Sequence, residues 1–278
     1  MPEGVALAAL PPAFAAAVAL VTGAFLGSFL NVAILRWAAE ESVLRPARSH
    51  CPRCGALIAW HDNIPVLSWL ALRGRCRRCA APISAMYPLV EAATALAWMG
   101  CVLAFGASLE ALRTALLFTI LLGIAVTDAR ERLIPHEFTA GGGAIGLASA
   151  FALGGLEGAG QALLGAVAGY LSLRAVAWVG EWWLGKEAMG HGDATMMAMV
   201  GTFTGWLGVY WTIFLGAVLA TLVYLPLKLL DRDGRLPIRR TEHGDPEIAF
   251  GVFLAIAAAG VHLGGDRLWA WYVGLVGL

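Results

Sequence analysis

Two sets of residues in this chain have the types and spacing to do chemistry. Four cysteines fall into two Cys-x-x-Cys pairs, Cys51/Cys54 and Cys76/Cys79, separated by "GALIAWHDNIPVLSWLALRGR". Two aspartates, Asp128 in "GIAVTDARERLIPHEF" and Asp193 in "GHGDATMMAMVG", stand at the ends of long apolar runs. Each arrangement has a direct chemical reading.

Two Cys-x-x-Cys knuckles about twenty residues apart have the spacing of a four-thiolate zinc site. Each knuckle turns tightly enough to aim both sulfurs at one metal. A tetrahedral zinc held by four thiolates keeps no open position, so such a site is structural. Arg53, Arg75, Arg77 and Arg78 lie beside the cysteines, where positive charge helps hold thiolates deprotonated. Disulfides and free thiols are the alternatives. A reducing cytosol disfavours disulfides, and redox chemistry does not need two copies at this distance. The fifth cysteine, Cys101, sits in an apolar run and reads as a small core residue.

A carboxylate at or inside a membrane span is costly and requires a reason. Two that meet in a low-dielectric site cannot easily both ionise. One then serves as general acid, while the other, as base, activates a water for attack on an amide. Gly190 and Gly192 let the backbone turn sharply ahead of Asp193 and leave room for a substrate chain. Taken singly, Asp193 also reads as a helix cap and Asp128 as a solvated residue beside Arg130 and Arg132. His191 reads as a third participant or, preferably, a polar residue at the interface. Arg174 is expected to pair with Glu181 or to extend towards water.

The elements that must position these residues follow from composition. Of 278 residues, 59% are hydrophobic and 14% charged, against about a quarter charged in soluble domains. Apolar stretches long enough to cross about 30 Å of hydrocarbon recur along the chain. Without water to satisfy loose backbone groups, these spans are expected to be helices. The expected fold is an all-α polytopic membrane protein of about eight transmembrane helices with a small cytosolic zinc-binding loop domain. The spans fall near 11–36, 88–106, 111–128, 137–155, 160–184, 193–207, 208–230 and 248–264. The first lacks a basic leader region and a small-residue cleavage site, so it reads as a retained span. The terminal "LWAWYVGLVGL" is too short to span alone and reads as interfacial.

Arginine placement orients the spans. The loop at 37–87 holds Arg45, Arg48, Arg53, Arg73, Arg75, Arg77 and Arg78. Alternate connections on the same side add Arg130, Arg132, Lys186, Lys228, Arg232, Arg235, Arg239 and Arg240, against Arg113 and Arg267 opposite. Positive charge stays cytoplasmic, so the N-terminus is expected outside and the cysteine loop in the cytosol. The third span then runs inward and the sixth outward, which brings Asp128 and Asp193 to one depth near the cytosolic face. The organisation expected is a first transmembrane helix (1–36), a cytosolic four-cysteine zinc-binding domain (37–87) and a transmembrane aspartyl peptidase core (88–278). The zero net charge gives no reason to expect a nucleic-acid partner.

With these residues in view, the chain resembles the bacterial type IV prepilin peptidases, which belong to the GxGD intramembrane aspartyl proteases. The resemblance rests on "GSFLNVAILR", "CPRCG", "HDNIPVLSWLALRGRCRRC", "APISAMYPLVE", the aspartate and proline at Asp128 and Pro135, "GHGD" and "IAFGVFLA", in that order. It implies that Asp128 and Asp193 are the catalytic pair, working at the cytosolic membrane face. It implies cleavage of type IV prepilins or type II secretion pseudopilins after a short basic leader that ends in glycine. Family members with the cysteine loop commonly also methylate the new N-terminal amine with S-adenosylmethionine, which would make this enzyme bifunctional in a bacterial inner membrane. The sequence departs from the family at Thr195, where lysine is frequent, and at Arg130 and His136, where acidic residues are frequent. Methyl-donor ligands are not identifiable. The arginine-rich loop is expected to meet anionic lipid headgroups, and Glu40, Glu41 or Glu91 the basic leader. Two rival readings are a peptidase without methylation and a non-enzymatic zinc-binding scaffold or transport component.

Overall fold

A computed structural model describes residues 11–43, 49–185, 189–230 and 249–276. Arg45, Arg48, Lys186 and the basic stretch 231–247, used above to orient the chain, lie outside the described residues. The elements are α1 (Pro12–Ala38), a 3₁₀ turn at Trp60–Asn63, α2 (Leu67–Ala71), α3 (Met86–Phe105), α4 (Leu109–Glu131), α5 (His136–Leu184), α6 (His191–Leu230) and α7 (Phe250–Val276). Among the described residues there are two isolated β-bridges and no strands.

Five helices, α1, α3, α4, α5 and α6, are long and apolar enough to cross a membrane. Two of them are long enough to cross more than once. At 1.5 Å per residue, the 49 residues of α5 and the 40 of α6 far exceed one bilayer. Each breaks at a glycine with positive φ, Gly155 (φ 60°, ψ −146°) and Gly205 (φ 68°, ψ 179°), a conformation that costs glycine little. Around Gly155 the helix folds back, because a Cβ on Gly158 would strike the Ala150 carbonyl. In a straight helix those residues stand about 12 Å apart along the axis. The expected spans 137–155 and 160–184, and 193–207 and 208–230, are thus the two arms of α5 and of α6. With α7 the polytopic, eight-span all-helical architecture holds. The terminal "LWAWYVG" is no separate element, since α7 runs on through it to Val276.

The described chain clusters into two compact units, 1–123 and 124–278. In the first, α1 packs on α3 through a Gly-x-x-x-Gly face. A Cβ on Gly23 would sit 2.8 Å from the Thr94 carbonyl, and one on Gly27 2.7 Å from Glu91 Cα. Small residues let helices touch backbone to backbone where lipid gives no hydrophobic drive to associate. Ala19, Trp98, Cys101, Ala111 and Ala115 form a buried cluster, so Cys101 is a core residue as expected. Trp98 Nε1 donates to Thr119 Oγ1 at 2.9 Å. In the second unit α5 meets α6 by the same device. Gly165 and Gly201 face each other so closely that a Cβ on either would collide with the other's carbonyl, and Gly169 abuts Met197 in the same way. A column of buried methionines, Met196, Met197 and Met199, continues α6 behind the contact.

Candidate active site and cysteine cluster

The cysteine loop is a duplicated knuckle. In the first copy Cys51 N donates to Ala56 O and Gly55 N to Cys51 O; in the second Cys76 N donates to Ala81 O and Ala80 N to Cys76 O. Isolated bridges His50–Leu57 and Arg75–Pro82 close the two turns. The left-handed position is Gly55 (φ 69°) in one copy and Ala80 (φ 57°) in the other, so the second turn carries strain the first avoids. The Sγ atoms of Cys51, Cys54, Cys76 and Cys79 all lie within 4.8 Å of one another, and Cys51 and Cys79 are 3.8 Å apart. Four thiolates at 2.3 Å around a tetrahedral ion would be spaced by about 3.8 Å, so the cluster fits a metal ion. Backbone N–H groups of Cys54 and Arg53 aim at the Cys51 sulfur and lower its thiol to about 6. Those of Cys79 and Arg78 lower Cys76 likewise. The Ala81 N–H favours the Cys79 thiolate, but burial and the three neighbouring sulfurs outweigh it and raise that thiol to about 11.

Two contacts hold this loop in place. Arg77 grips Asp62 of the 3₁₀ turn with Nε (2.8 and 3.1 Å) and Nη2 (2.6 Å), and the guanidinium lowers the Asp62 carboxyl below its usual range. Glu91 of α3 is buried and accepts the Val66 N–H at 2.7 Å. Val66 itself sits at φ 62°, a strained conformation for a β-branched residue. Ser68 Oγ accepts the Ile64 N–H and donates to the His61 carbonyl, while Trp69 Nε1 donates to Ile83 O. Asn31 of α1 donates to Tyr87 O. The motifs "GSFLN", "DNIPVLSW" and "YPLVE" are therefore the interlocking parts of one clasp. Glu91 is spent on it and is not exposed to meet a basic peptide, unlike Glu40 and Glu41.

Asp128 lies in the last turn of α4 and is buried, 7% exposed, which excludes the solvated reading. Arg132 turns back at φ 59° and donates from Nη1 to the carbonyls of Asp128 and Ala129; Arg130 pairs with Glu131. The chain then passes Ile134 and Pro135 into α5. Asp193 lies in the first turn of α6, which opens at His191, so it sits inside the helix rather than capping it. His191 is exposed. Arg174 and Glu181 form no ion pair among the described residues.

Asp193 lies within electrostatic reach of Asp128. The steric contacts around them say how. A Cβ on Gly192, next to Asp193, would lie 3.0 Å from Ile134 Cβ. A Cβ on Gly251, in the first turn of α7, would lie 2.8 Å from Asp128 Oδ2 and 3.1 Å from Ile134 Cδ1. Ile134 thus touches α6 beside one aspartate and α7 beside the other. Gly251 lay inside the quoted "IAFGVFLA" with no role attached, and Ile134 was not singled out. Only the neighbourhood of a proline and an apolar run marked them.

Fold and site define a helical multi-pass membrane protein in which two helix-end carboxylates lie within electrostatic reach in one unit and a four-cysteine cluster stands in the other. Residues 21–105 match the bacterial peptidase A24 N-terminal domain and residues 115–225 the type IV leader peptidase family. A "Prepilin leader peptidase/N-methyltransferase" of Myxococcus xanthus is 44% identical over 209 residues, 74% of this chain and 62% of that protein. Proteins of the same name from Aeromonas hydrophila and Pseudomonas putida are each 36% identical, over 89% and 97% of this chain and 90% and 97% of theirs. No solved structure matches. The chain belongs to the type IV leader peptidase family.

Proposed function

We propose that this protein removes the leader peptide from type IV prepilins or type II secretion pseudopilins, with Asp128 and Asp193 as the catalytic pair, and N-methylates the residue so exposed. The observation that carries it is the meeting of two helix-end aspartates within electrostatic reach, in a family whose members bear that activity in their names. The ionised carboxylate takes a proton from a water, whose oxygen attacks the scissile carbonyl carbon. The protonated one donates to the departing nitrogen as the C–N bond breaks. S-adenosylmethionine, when bound, would supply the methyl group: the amine nitrogen would form the new N–C bond as the donor's S–CH3 bond breaks, releasing S-adenosylhomocysteine and a proton.

A precursor anchored by its own apolar helix arrives with the scissile bond held at the membrane face, which lowers the entropic part of the barrier. The preferred orientation puts the N-terminus outside and both cysteine cluster and aspartates on the cytosolic side of the inner membrane. Exposed Glu40 and Glu41 meet the basic leader, and Arg53, Arg73, Arg75 and Arg78 meet anionic headgroups. Zinc fills the four-cysteine cluster as a structural ion, in keeping with the sulfur spacing and with all four donors being thiols. The chain then divides by role into a first helix (1–36), a zinc domain (37–87) and a peptidase core (88–278).

Incubating the full chain in lipid with a prepilin and S-adenosylmethionine, followed by mass analysis of the mature N-terminus, tests cleavage, cut position and methylation together. Asp128→Asn and Asp193→Asn are each expected to abolish the cut while preserving helicity. Normal cleavage by both single variants would overturn the assignment.

A further inference from the structure

We infer that Ile134, seated between Gly192 and Gly251, is the spacer that sets the gap between Asp128 and Asp193, with Gly251 as the positioning residue that seats the Asp128 carboxyl. The inference rests on the aspartate-pair reading and adds to it the residues that hold the pair in register.

Three elements converge here, and two of them, α6 at Gly192 and α7 at Gly251, arrive without a side chain at the contact. Gly192 precedes Asp193 directly, so any displacement of its backbone moves that carboxylate. Its Cβ would fall 3.0 Å from Ile134 Cβ, 3.4 Å from Cγ1 and 3.5 Å from Cδ1. A Cβ on Gly251 would fall 3.1 Å from Cδ1 of the same side chain, 2.8 Å from Asp128 Oδ2 and 3.2 Å from its Cγ. The Asp128 carboxyl is therefore wedged against bare α7 backbone. Ile134 is β-branched and stiff, and Pro135 behind it fixes the entry into α5 with φ −60°. A rigid side chain thus bridges two helix starts that the chain itself leaves far apart in sequence. Aspartate pairs that share a proton depend on their separation, so a spacer acts on proton sharing as well as on geometry.

A methyl group at position 251 has no space. It must push the Asp128 carboxyl, Ile134 or α7 aside by some tenths of an ångström. Because substrate contacts elsewhere are untouched, the loss should fall on the chemical step.

The test compares the full-length wild type, Gly251→Ala, Ile134→Val and the double variant in lipid, following cleavage of a prepilin against pH. Gly251→Ala is expected to lower kcat by about tenfold or more with KM within about twofold and a displaced pH–rate profile. Ile134→Val removes Cδ1, one of the two side-chain groups the new methyl would strike, so the double variant should recover part of that loss; simple destabilisation would add instead. If Gly251→Ala does not fold, Ile134→Val alone carries the test. With its contact to Gly251 gone, it should lower kcat and displace the pH profile at unchanged helicity. Normal kcat and pH profile in Gly251→Ala or in Ile134→Val, or strict additivity in the double variant, would overturn the spacer. Asp128→Asn and Asp193→Asn run alongside. If they still cut, the aspartate assignment itself has failed; if they are inert while the spacer variants are normal, only this inference has.

Discussion

Replacing Glu91 with alanine should release the cysteine loop without unfolding the helices. In the structure the carboxylate accepts the Val66 N–H at 2.7 Å in a buried setting, and a hydrogen bond to a charged group contributes about 1.5–3 kcal/mol. Val66 also sits at φ 62°, a left-handed conformation costing about 1–2 kcal/mol that only a fixed partner makes tolerable. Alanine removes the acceptor and frees the backbone to relax, so local opening should become easier by about 3 kcal/mol, roughly a hundredfold in the opening equilibrium. Glutamine keeps an oxygen at the same place and should lose about 1 kcal/mol. Hydrogen–deuterium exchange of peptides covering 62–74 reads the effect directly, with the buried middle of α6 as internal control. Protection of 62–74 in Glu91→Ala equal to wild type would refute the clasp; equal loss in both peptides would mean general destabilisation instead.

Other outcomes follow from the same geometry. Gly201→Ala puts a methyl against the Gly165 carbonyl and should cost about 1–3 kcal/mol of stability or more if the helices cannot part, read as a lowered thermal midpoint. By contrast, Gly143→Ala, with nothing within 4 Å, should be neutral or add about 0.5–1 kcal/mol of stability. Serine at any one of Cys51, Cys54, Cys76 or Cys79 should cut bound metal, read by elemental analysis, and expose 49–83 to proteolysis while α5 and α6 stay protected. Arg77 holds the Asp62 carboxyl below its ordinary value. The pair therefore contributes fully above the unfolded carboxyl value near ~4 and is lost as pH falls through the lower folded value. Pepsin nicking of the loop should rise on acidification in wild type, while Asp62→Asn should be nicked already at the mildest acid pH.

Much of this was legible in local pattern. Apolar run length announced each span, because the bilayer imposes one length scale on every helix that crosses it. The knuckles were equally plain, since two Cys-x-x-Cys turns carry their geometry within a few residues. Asp128 and Asp193 stood out because carboxylates are rare beside such runs. The single long helices α5 and α6 were not legible as such, since a positive-φ glycine at 155 or 205 looks like any of the 34 in the chain. Glu91, named with Glu40 and Glu41 as an acid for the leader, is buried, a burial that depends on Val66 and α1 folding over it.

By itself the sequence determined the membrane class, the all-helical fold and the metal-fitting cysteines, and it singled out Asp128 and Asp193 as the carboxylates to examine, all features set by short-range spacing and by the solvent a helix must face. The tertiary structure alone decided that the end of α4 and the start of α6 bring Asp128 within electrostatic reach of Asp193, that Ile134 stands between two bare glycines, and that Glu91 serves the loop. These are contacts between residues distant in the chain. Their energy depends on fractions of an ångström between backbones, a quantity that no local pattern encodes.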